Sequence, residues 1–213
     1  MTVKRIVILL LLIAAIIGVF IWFGDGYDYR NLPPTADGPW VAFGDSLTEG
    51  YGASPGYDYP SLLGKRLGID IQNLGKTGET SEDGLNRIDS VVAVKPRVAL
   101  LCFGGNDALQ GKPVSQTTAN LAQIIDRLHG EGSFVVLIGI RSASLRDRNE
   151  SDYEKLARQK EVLYVPDMLK GLAFKPIYMS DAIHPNDAGY ARIAERLDKA
   201  LKPVIARLRF SEK

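Results

Sequence analysis

Cysteine is nearly absent from this 213-residue sequence, in which Cys102 is the only one. An internal disulfide is therefore impossible, and a metal site built on several thiolates is excluded. Cys102 lies in the apolar run Val98–Phe103, a context that is more typical of a small buried hydrophobe than of a reactive thiol. The composition thus predicts neither a metal centre nor a redox site.

An excess of charge of one sign is also lacking. The chain has 26 basic and 25 acidic residues, a net charge of +1, and no block of five or six like charges. Nucleic-acid binding would need a basic stripe, so it is not predicted. With 46% hydrophobic residues the chain is globular, and the part after residue 39 is long enough to bury a core unaided.

One long hydrophobic run is present, at Ile6–Phe23, and it contains no charged residue. As a helix it would span about 27 Å, close to the thickness of the hydrocarbon layer of a bilayer. Lys4 and Arg5 precede it, which predicts an anchor over residues 1–23 with the following chain on the far side of the membrane. A cleaved signal peptide is the second interpretation, although the run ends in bulky residues, and a buried core helix is the third.

Residues 24–39 are rich in Gly, Pro and Asp and predict a linker, which leaves residues 40–213 as the folded domain. In that domain short apolar runs alternate with helical patterns, which indicates a parallel sheet covered on both faces. Ligands of such sheets bind beyond the carboxyl ends of the strands. The predicted strands are Trp40–Phe43, Ile69–Leu74, Arg97–Phe103, Phe134–Ile140 and Val162–Val165, and the predicted helices are Tyr59–Leu67, Gly84–Val94, Thr117–His129, Asp152–Gln159 and Asn186–Leu201.

A serine follows the first strand, in Gly44-Asp45-Ser46-Leu47. It would lie on a strand-to-helix turn, open to solvent at the carboxyl edge of the sheet. Asp and Ser also cap helices, so this segment alone fits a plain cap equally well. The G-x-S-x-G elbow is absent because Thr48 stands where its second glycine would be.

A hydroxyl needs a nearby base to become a nucleophile at neutral pH, and the chain has only two histidines. His184 lies before the last predicted helix, and Asp181, three residues earlier, can orient its ring and stabilise the imidazolium. His129 ends a predicted helix, where a basic side chain complements the helix dipole, so we interpret it as structural. Ser46, His184 and Asp181 are therefore the candidate catalytic residues.

Two further loops carry candidate hydrogen-bond donors for a developing oxyanion. The side-chain amide of Asn106, in Gly104-Gly105-Asn106-Asp107, can donate, and Gly78 can offer a backbone N–H that no side chain obstructs. Each loop alone is more typical of ordinary turn chemistry.

The four segments together, GDSLTEGYGA, the loop with Gly78, GGNDALQG and DAIH, resemble the GDSL or SGNH hydrolase family over residues 40–200. The resemblance is greatest to its bacterial thioesterase/lysophospholipase/arylesterase branch. It implies a three-layer α/β/α sandwich with a five-stranded parallel, flavodoxin-like sheet, and no metal or cofactor. It also implies Ser46 as nucleophile, His184 as base, Asp181 as its partner, an oxyanion hole of Ser46, Gly78 and Asn106, and support from Asp45 and Gly105.

The function expected from this resemblance is that of a serine esterase of short- to medium-chain acyl esters or thioesters, including lipid substrates. A carbohydrate O-acetylesterase is the alternative enzyme, and a non-catalytic binding domain is the alternative of another class. We expect a bacterial inner-membrane protein with a periplasmic domain, or else a cleaved and secreted one, and predict no oligomeric state. The segment Arg141–Gln159 shows no family pattern and is a candidate wall of the acyl pocket.

Overall fold

The computed structural model describes residues 28–140 and 148–209, and its centre is a parallel sheet of five strands in the order β2-β1-β3-β4-β5. Every neighbouring pair of strands is parallel, as the sequence predicted, and this arrangement brings all five carboxyl ends to one edge. The strands are β1 Trp40–Gly44, β2 Ile71–Gly75, β3 Val98–Cys102, β4 Phe134–Ile138 and β5 Leu163–Val165.

Helices cover both faces of the sheet and complete the three predicted layers. They are α1 Ser46–Glu49, α2 Tyr59–Leu67, α3 Ser81–Asn86, α4 Ile88–Val92, α5 Gly105–Leu109, α6 Val114–Gly130, α7 Arg148–Lys160, α8 Asp187–Leu201 and α9 Ile205–Leu208. Because successive strand residues point to opposite faces, Trp40 and Ala42 join one apolar cluster while Val41 and Phe43 join the other. The first cluster contains residues of α2, α8 and α9, and the second contains residues of α4, α6 and α7.

The predicted helix Gly84–Val94 is two short helices, α3 and α4, and the first begins earlier than predicted. Thr80 and Asp83 form a reciprocal capping box that starts α3 at Ser81. Arg87 separates α3 from α4, and its guanidinium donates to the carbonyl of Leu74 at 2.9 Å. The short helices α1, α5 and α9 were not predicted, because four or five residues are too few to show a helical period.

The predicted linker ends earlier than residue 39, because the chain from Tyr29 onward is already part of the folded body. The Tyr29 ring packs edge-on against Phe134, with the ring centroids 5.9 Å apart. The Asn31 amide donates to the carbonyls of His129 and Ser133, at 3.1 and 2.9 Å. These contacts are long-range in sequence, which is why local composition indicated only a loop.

The predicted anchor, residues 1–23, lies outside the described residues. Within 28–140 and 148–209 no helix is both long enough and apolar enough to cross a bilayer.

Two side chains of the core bear on the sequence predictions. Cys102 is fully buried and its thiol lies 3.3 Å from the sulfur of Met168, so the prediction of a small buried hydrophobe is confirmed. Burial raises the pKa of that thiol. His129 is 4% exposed, and burial lowers its pKa to about 4, so the ring is neutral near pH 7. The structural role predicted for His129 agrees with its burial, but the predicted charge–dipole interaction is wrong.

Candidate active site

Ser46 is the first residue of α1 and lies on the sharp turn that follows β1. The Asp45 carboxyl group caps this helix by accepting the N–H of Leu47 at 3.0 Å. Gly44 is required at the turn, since a Cβ there would lie 2.1 Å from the Thr48 hydroxyl and 2.3 Å from the carbonyl of Cys102. The turn therefore leaves Ser46, 7% exposed, at the floor of a cleft on the carboxyl edge of the sheet.

His184 reaches Ser46 from the loop before α8, 138 residues along the chain. Its Nε2 lies 3.0 Å from the Ser46 Oγ, and its Nδ1 lies 2.7 Å from the Asp181 Oδ2. An ionised carboxylate only accepts hydrogen bonds, so it selects the tautomer with a proton on Nδ1 and leaves the Nε2 lone pair facing the hydroxyl. The three predicted catalytic residues are thus in one continuous chain of hydrogen bonds.

Backbone contacts hold Asp181 in place and keep it ionised. Its Oδ1 accepts the N–H groups of Ile183 and His184, at 2.8 and 2.7 Å. Partial burial alone would raise the pKa of Asp181, but these hydrogen bonds and the one from the His184 ring outweigh it, and the pKa lies below its ordinary value. A negative charge is therefore present beside the imidazole at neutral pH.

Tyr51 packs against the imidazole and was not identified from the sequence. Its ring centroid lies 4.5 Å from that of His184, with the planes inclined at 47°. The backbone carbonyl of Tyr51 accepts a hydrogen bond of 2.9 Å from the buried Tyr190 of α8. The tyrosine in GDSLTEGYGA was the available signal, but nothing local indicates that it meets a histidine 133 positions later.

The predicted oxyanion donors lie on neighbouring loops around Ser46. Asn106 and Gly105 line the same cleft as Ser46, and Gly105 also lies against Asp45, where an added Cβ would be 3.4 Å from its Oδ2. Gly78 is exposed at φ +82, with no atom within 4 Å of the place where a Cβ would stand. Gly78 does not line the cleft among the described residues, but the Asn106 amide donates at 2.8 Å to the carbonyl of the next residue, Glu79.

A buried carboxylate, Asp107, joins these two loops and was also missed as a functional residue. It accepts the Ser81 N–H at 2.8 Å, the Ser81 hydroxyl at 2.5 Å and the Thr117 hydroxyl at 3.2 Å. Asn120 of α6 donates to the same Ser81 hydroxyl at 3.0 Å. This network connects α3, α5 and α6, and so fixes the distance between the loop of Gly78 and the loop of Asn106.

The cleft above Ser46 has a volume of about 230 Å³ and a mainly apolar lining. Beyond the polar residues already described, its walls are formed by Leu47, Leu109, Ile140, Leu169, Ala173, Phe174, Met179, Ala182 and Ile183. Of the segment Arg141–Gln159, residues 141–147 lie outside the described residues. In its described part, the buried Tyr153 and Leu156 belong to the core cluster of α6, so these two residues form core rather than cleft wall.

Within the described ranges, no group of three or more His, Cys, Asp or Glu side chains is arranged to hold a metal ion. The polar atoms around the cleft are instead one hydroxyl, one imidazole, carboxylates and an amide. A serine bonded to an imidazole–carboxylate pair, at the carboxyl edge of a parallel sheet, is the arrangement of a serine hydrolase.

Comparison with known proteins makes this class more specific. Residues 42–192 match the sequence model of the GDSL-like Lipase/Acylhydrolase family, and the chain belongs to that family. It is 32% identical to the thioesterase 1/protease 1/lysophospholipase L1 of Escherichia coli strain K12, over 78% of this chain and 84% of that protein. It is 31% identical to the arylesterase of Vibrio mimicus, over 73% of this chain and 84% of that protein.

Solved structures agree in fold. The crystal structure of TesA has a TM-score of 0.73 and 31% identity, over 78% of this chain and 98% of that one. AlinE4, an SGNH-hydrolase family esterase, has a TM-score of 0.62 and 31% identity, over 83% of this chain and 100% of that one. The protein is accordingly a serine hydrolase that acts on ester bonds, as the sequence predicted.

Asp45, next to the serine, is an unusual carboxyl because it is 1% exposed. Burial raises its pKa to about 7, aided by the charge of Asp107 and opposed by the hydrogen bond from the Leu47 N–H. The folded protein therefore keeps a proton on Asp45 that an unfolded chain releases near pH 4.

We predict that Asp45→Asn changes how stability depends on pH. From about pH 4 to about pH 7 the free energy of unfolding of the native protein falls, because the unfolded state binds fewer protons at this position. Asparagine caps the helix as well as aspartate does but does not titrate. Between about pH 4 and about pH 7 the free energy of unfolding of the variant should rise by about 4 kcal/mol relative to that of the native protein, as measured by urea unfolding.

Asp70→Asn is the matched control, because the Asp70 side chain is exposed and solvated in both states. The free energy of unfolding of this variant should depend on pH in the same way as that of the native protein. An Asp45→Asn curve parallel to the native one would show that Asp45 is ionised in the fold.

Proposed function

We propose that Ser46 is the nucleophile of an esterase acting on short- to medium-chain acyl esters or thioesters, with His184 as its base and Asp181 as the partner of the base. The observation that carries this assignment is the 3.0 Å contact between Ser46 Oγ and His184 Nε2, continued by the 2.7 Å contact to Asp181. Distances of this size allow direct proton transfer from the hydroxyl to the imidazole.

In the first step Ser46 Oγ attacks the carbonyl carbon of the ester as His184 Nε2 takes the hydroxyl proton. The imidazolium that forms is stabilised by the ionised Asp181. Negative charge develops on the carbonyl oxygen, and the Ser46 N–H and the Asn106 amide donate to it from the cleft lining, with the Gly78 N–H as the third donor from the adjacent loop that Asn106 holds through Glu79. The Ser46 N–H suits this role because the first N–H groups of a helix have no intrahelical acceptor.

Collapse of this intermediate expels the alcohol or thiol, which takes its proton from His184, and leaves the acyl group on Ser46. A water molecule then enters, and His184 removes its proton as the water attacks the acyl carbonyl. A second tetrahedral intermediate, held by the same donors, releases the free acid as His184 returns its proton to the Ser46 oxygen. Two moderate barriers replace a single high one.

The cleft lining supports an acyl substrate over an acetylated sugar. Leu109, Leu169, Phe174 and Ile183 offer an apolar wall to a hydrocarbon chain, whereas hydroxyl groups of a glycan would find few partners there. The curated relatives bear thioesterase, lysophospholipase and arylesterase in their names, which agrees with this class of substrate. A carbohydrate O-acetylesterase therefore remains only as an outcome of the test below.

Ser46→Ala should abolish hydrolysis of p-nitrophenyl acyl esters and labelling by a fluorophosphonate probe. In the native protein, kcat/KM should rise from acetyl to octanoyl esters, since each buried CH₂ contributes about 0.8 kcal/mol, or roughly fourfold. Initial rates on the acyl series, a lysophospholipid and an acetylated glycan, with mass mapping of the labelled peptide, provide the measurement.

Ser54→Ala is the control for the serine, because Ser54 lies outside the cleft and should leave rates and labelling unchanged. Hydrolysis retained by Ser46→Ala would disprove the assigned nucleophile. A native protein that never labels would identify a binding domain, and faster cleavage of the acetylated glycan than of any acyl ester would favour the carbohydrate alternative.

Asn106→Ala should lower kcat by about 100- to 1000-fold with the fold retained, because one oxyanion donor is lost. Gln110→Ala, at the exposed end of the same helix, should keep native rates. Steady-state kinetics and circular dichroism of both variants test this, and a kcat for Asn106→Ala within a few-fold of native would remove the amide from the oxyanion hole.

For the amino terminus we propose an uncleaved anchor over residues 1–23 that holds the esterase domain on the periplasmic side of a bacterial inner membrane. The uncharged run Ile6–Phe23 and the basic pair Lys4 and Arg5 support this orientation. Amino-terminal sequencing of the protein from a membrane fraction should begin at the first residues of the chain. A sequence that begins after Phe23, in a soluble fraction, would instead establish a cleaved signal.

A further inference from the structure

The mouth of the cleft carries an unusual amount of exposed apolar surface. Among the described residues seven large apolar side chains are exposed, and three of them, Leu109, Phe174 and Ile183, line the cleft. Ile177 lies on the same loop as Phe174. Phe174 and Ile177 are the most exposed of the seven, at 78% and 70%. Clustered exposure of this kind marks an interaction surface, whereas single exposed apolar residues need no explanation.

The loop of residues 169–179 has two different sides. Leu169, Ala173, Phe174 and Met179 face the acyl cleft. Lys170, Lys175 and Tyr178 border a second hollow, of about 360 Å³, on the other side of the loop. A surface that binds this loop would therefore contact the apolar side chains of one side and the basic side chains of the other.

The second hollow is strongly basic in a chain whose net charge is only +1. It is lined by one acidic side chain, Glu195, and by five basic ones: Lys170, Lys175, Arg192, Arg196 and Lys199. Glu195 pairs with Arg192 at 3.1 Å and with Lys199 at 2.9 Å. No ion pair in the described residues involves Lys170 or Lys175, so their charge is free to meet an outside anion.

We infer that this loop and the basic hollow form a docking face for an anionic phospholipid surface. Apolar side chains next to lysines are the combination that binds a membrane interface, since the former enter the acyl boundary while the latter meet acidic headgroups. Phe174 and Ile177 enter the interface, and Lys170 and Lys175 lie at headgroup level. In this position the cleft opens toward the lipid, so that a lipid ester can enter it. This part of the inference rests on the esterase function proposed above.

The path of the chain is compatible with this docking. Tyr29 and Leu32, near the start of the described chain, pack on the cluster that lies on the α8 face of the sheet. Arg207 of α9 donates to the Leu32 carbonyl on that same face. Three of the basic residues of the hollow lie on α8, which runs from the catalytic edge back toward the other end of the sheet. The α8 face therefore carries the first described residues at the amino edge of the sheet and the cleft loop at the carboxyl edge, with the basic residues of α8 between them.

The buried Cys102 permits a selective test, since only an introduced surface cysteine will react with a label. The full chain is labelled with an environment-sensitive fluorophore at Ile177→Cys, or at Val94→Cys, which is 40% exposed and precedes β3, at the edge of the sheet opposite the cleft. Each is reconstituted into phosphatidylcholine vesicles with or without phosphatidylglycerol, and quenching by nitroxide-bearing lipids is measured.

The label at position 177 should be quenched in vesicles that contain phosphatidylglycerol and much less in phosphatidylcholine alone, and the label at position 94 in neither. Lys170→Gln with Lys175→Gln should lower the ratio of docked to undocked protein by about fivefold per lysine. Lys95→Gln with Lys155→Gln, two exposed lysines elsewhere, is the matched control. Equal quenching at both positions, or quenching that ignores phosphatidylglycerol and the lysines, would overturn the docking face.

Hydrolysis of a soluble p-nitrophenyl ester separates this proposal from the esterase assignment. The Lys170→Gln and Lys175→Gln protein should hydrolyse it at the native rate, because neither lysine lines the catalytic cleft. Loss of docking with intact hydrolysis supports the docking face. Docking that persists in a protein unable to hydrolyse any ester would refute the proposed function and leave the surface in place.

Discussion

One hydrogen bond, between Ser46 and His184, joins segments from near the two ends of the folded domain and makes the serine reactive. A serine hydroxyl alone is a poor nucleophile and needs an adjacent base to activate it. The turns, caps and packing contacts that position Ser46 and His184 therefore all serve this one contact. The parallel sheet supplies the common edge, because all its strands end there and the loops that follow them meet.

The support around this contact is rigid on the serine side. Gly44 packs against Thr48 and the Cys102 carbonyl so closely that no side chain fits, and Asp45 caps the helix that begins with the serine. Asp107 then connects the loops that carry the other polar groups of the site. The oxyanion donors on these loops are therefore held in place before the reaction. Donors fixed in advance need no rearrangement as charge develops, which is the basis of electrostatic catalysis.

The sequence predicted the sheet and the motif residues because both depend on local patterns. Val98–Cys102 is an uninterrupted apolar run, and Ser46, Asn106 and His184 lie in short motifs whose order is specific. Contacts made across the chain could not be read in this way. Examples are the Tyr51 ring on His184, the Asp107 network and the packing of Tyr29, which depend on distances that only the folded chain defines. The cleft walls from the loop of residues 169–179 belong to the same group.

The imidazole and its carboxylate are carried by one turn of four residues, with the backbone of that turn bonded to the same carboxylate. The relative positions of the imidazole and the carboxylate are therefore fixed within this turn. A displacement of this turn would break the link to the serine and the ring contact with Tyr51, and would leave the hydrogen bonds within the pair intact. The orientation of the base relative to its carboxylate is therefore set within these four residues and does not depend on the serine side of the cleft.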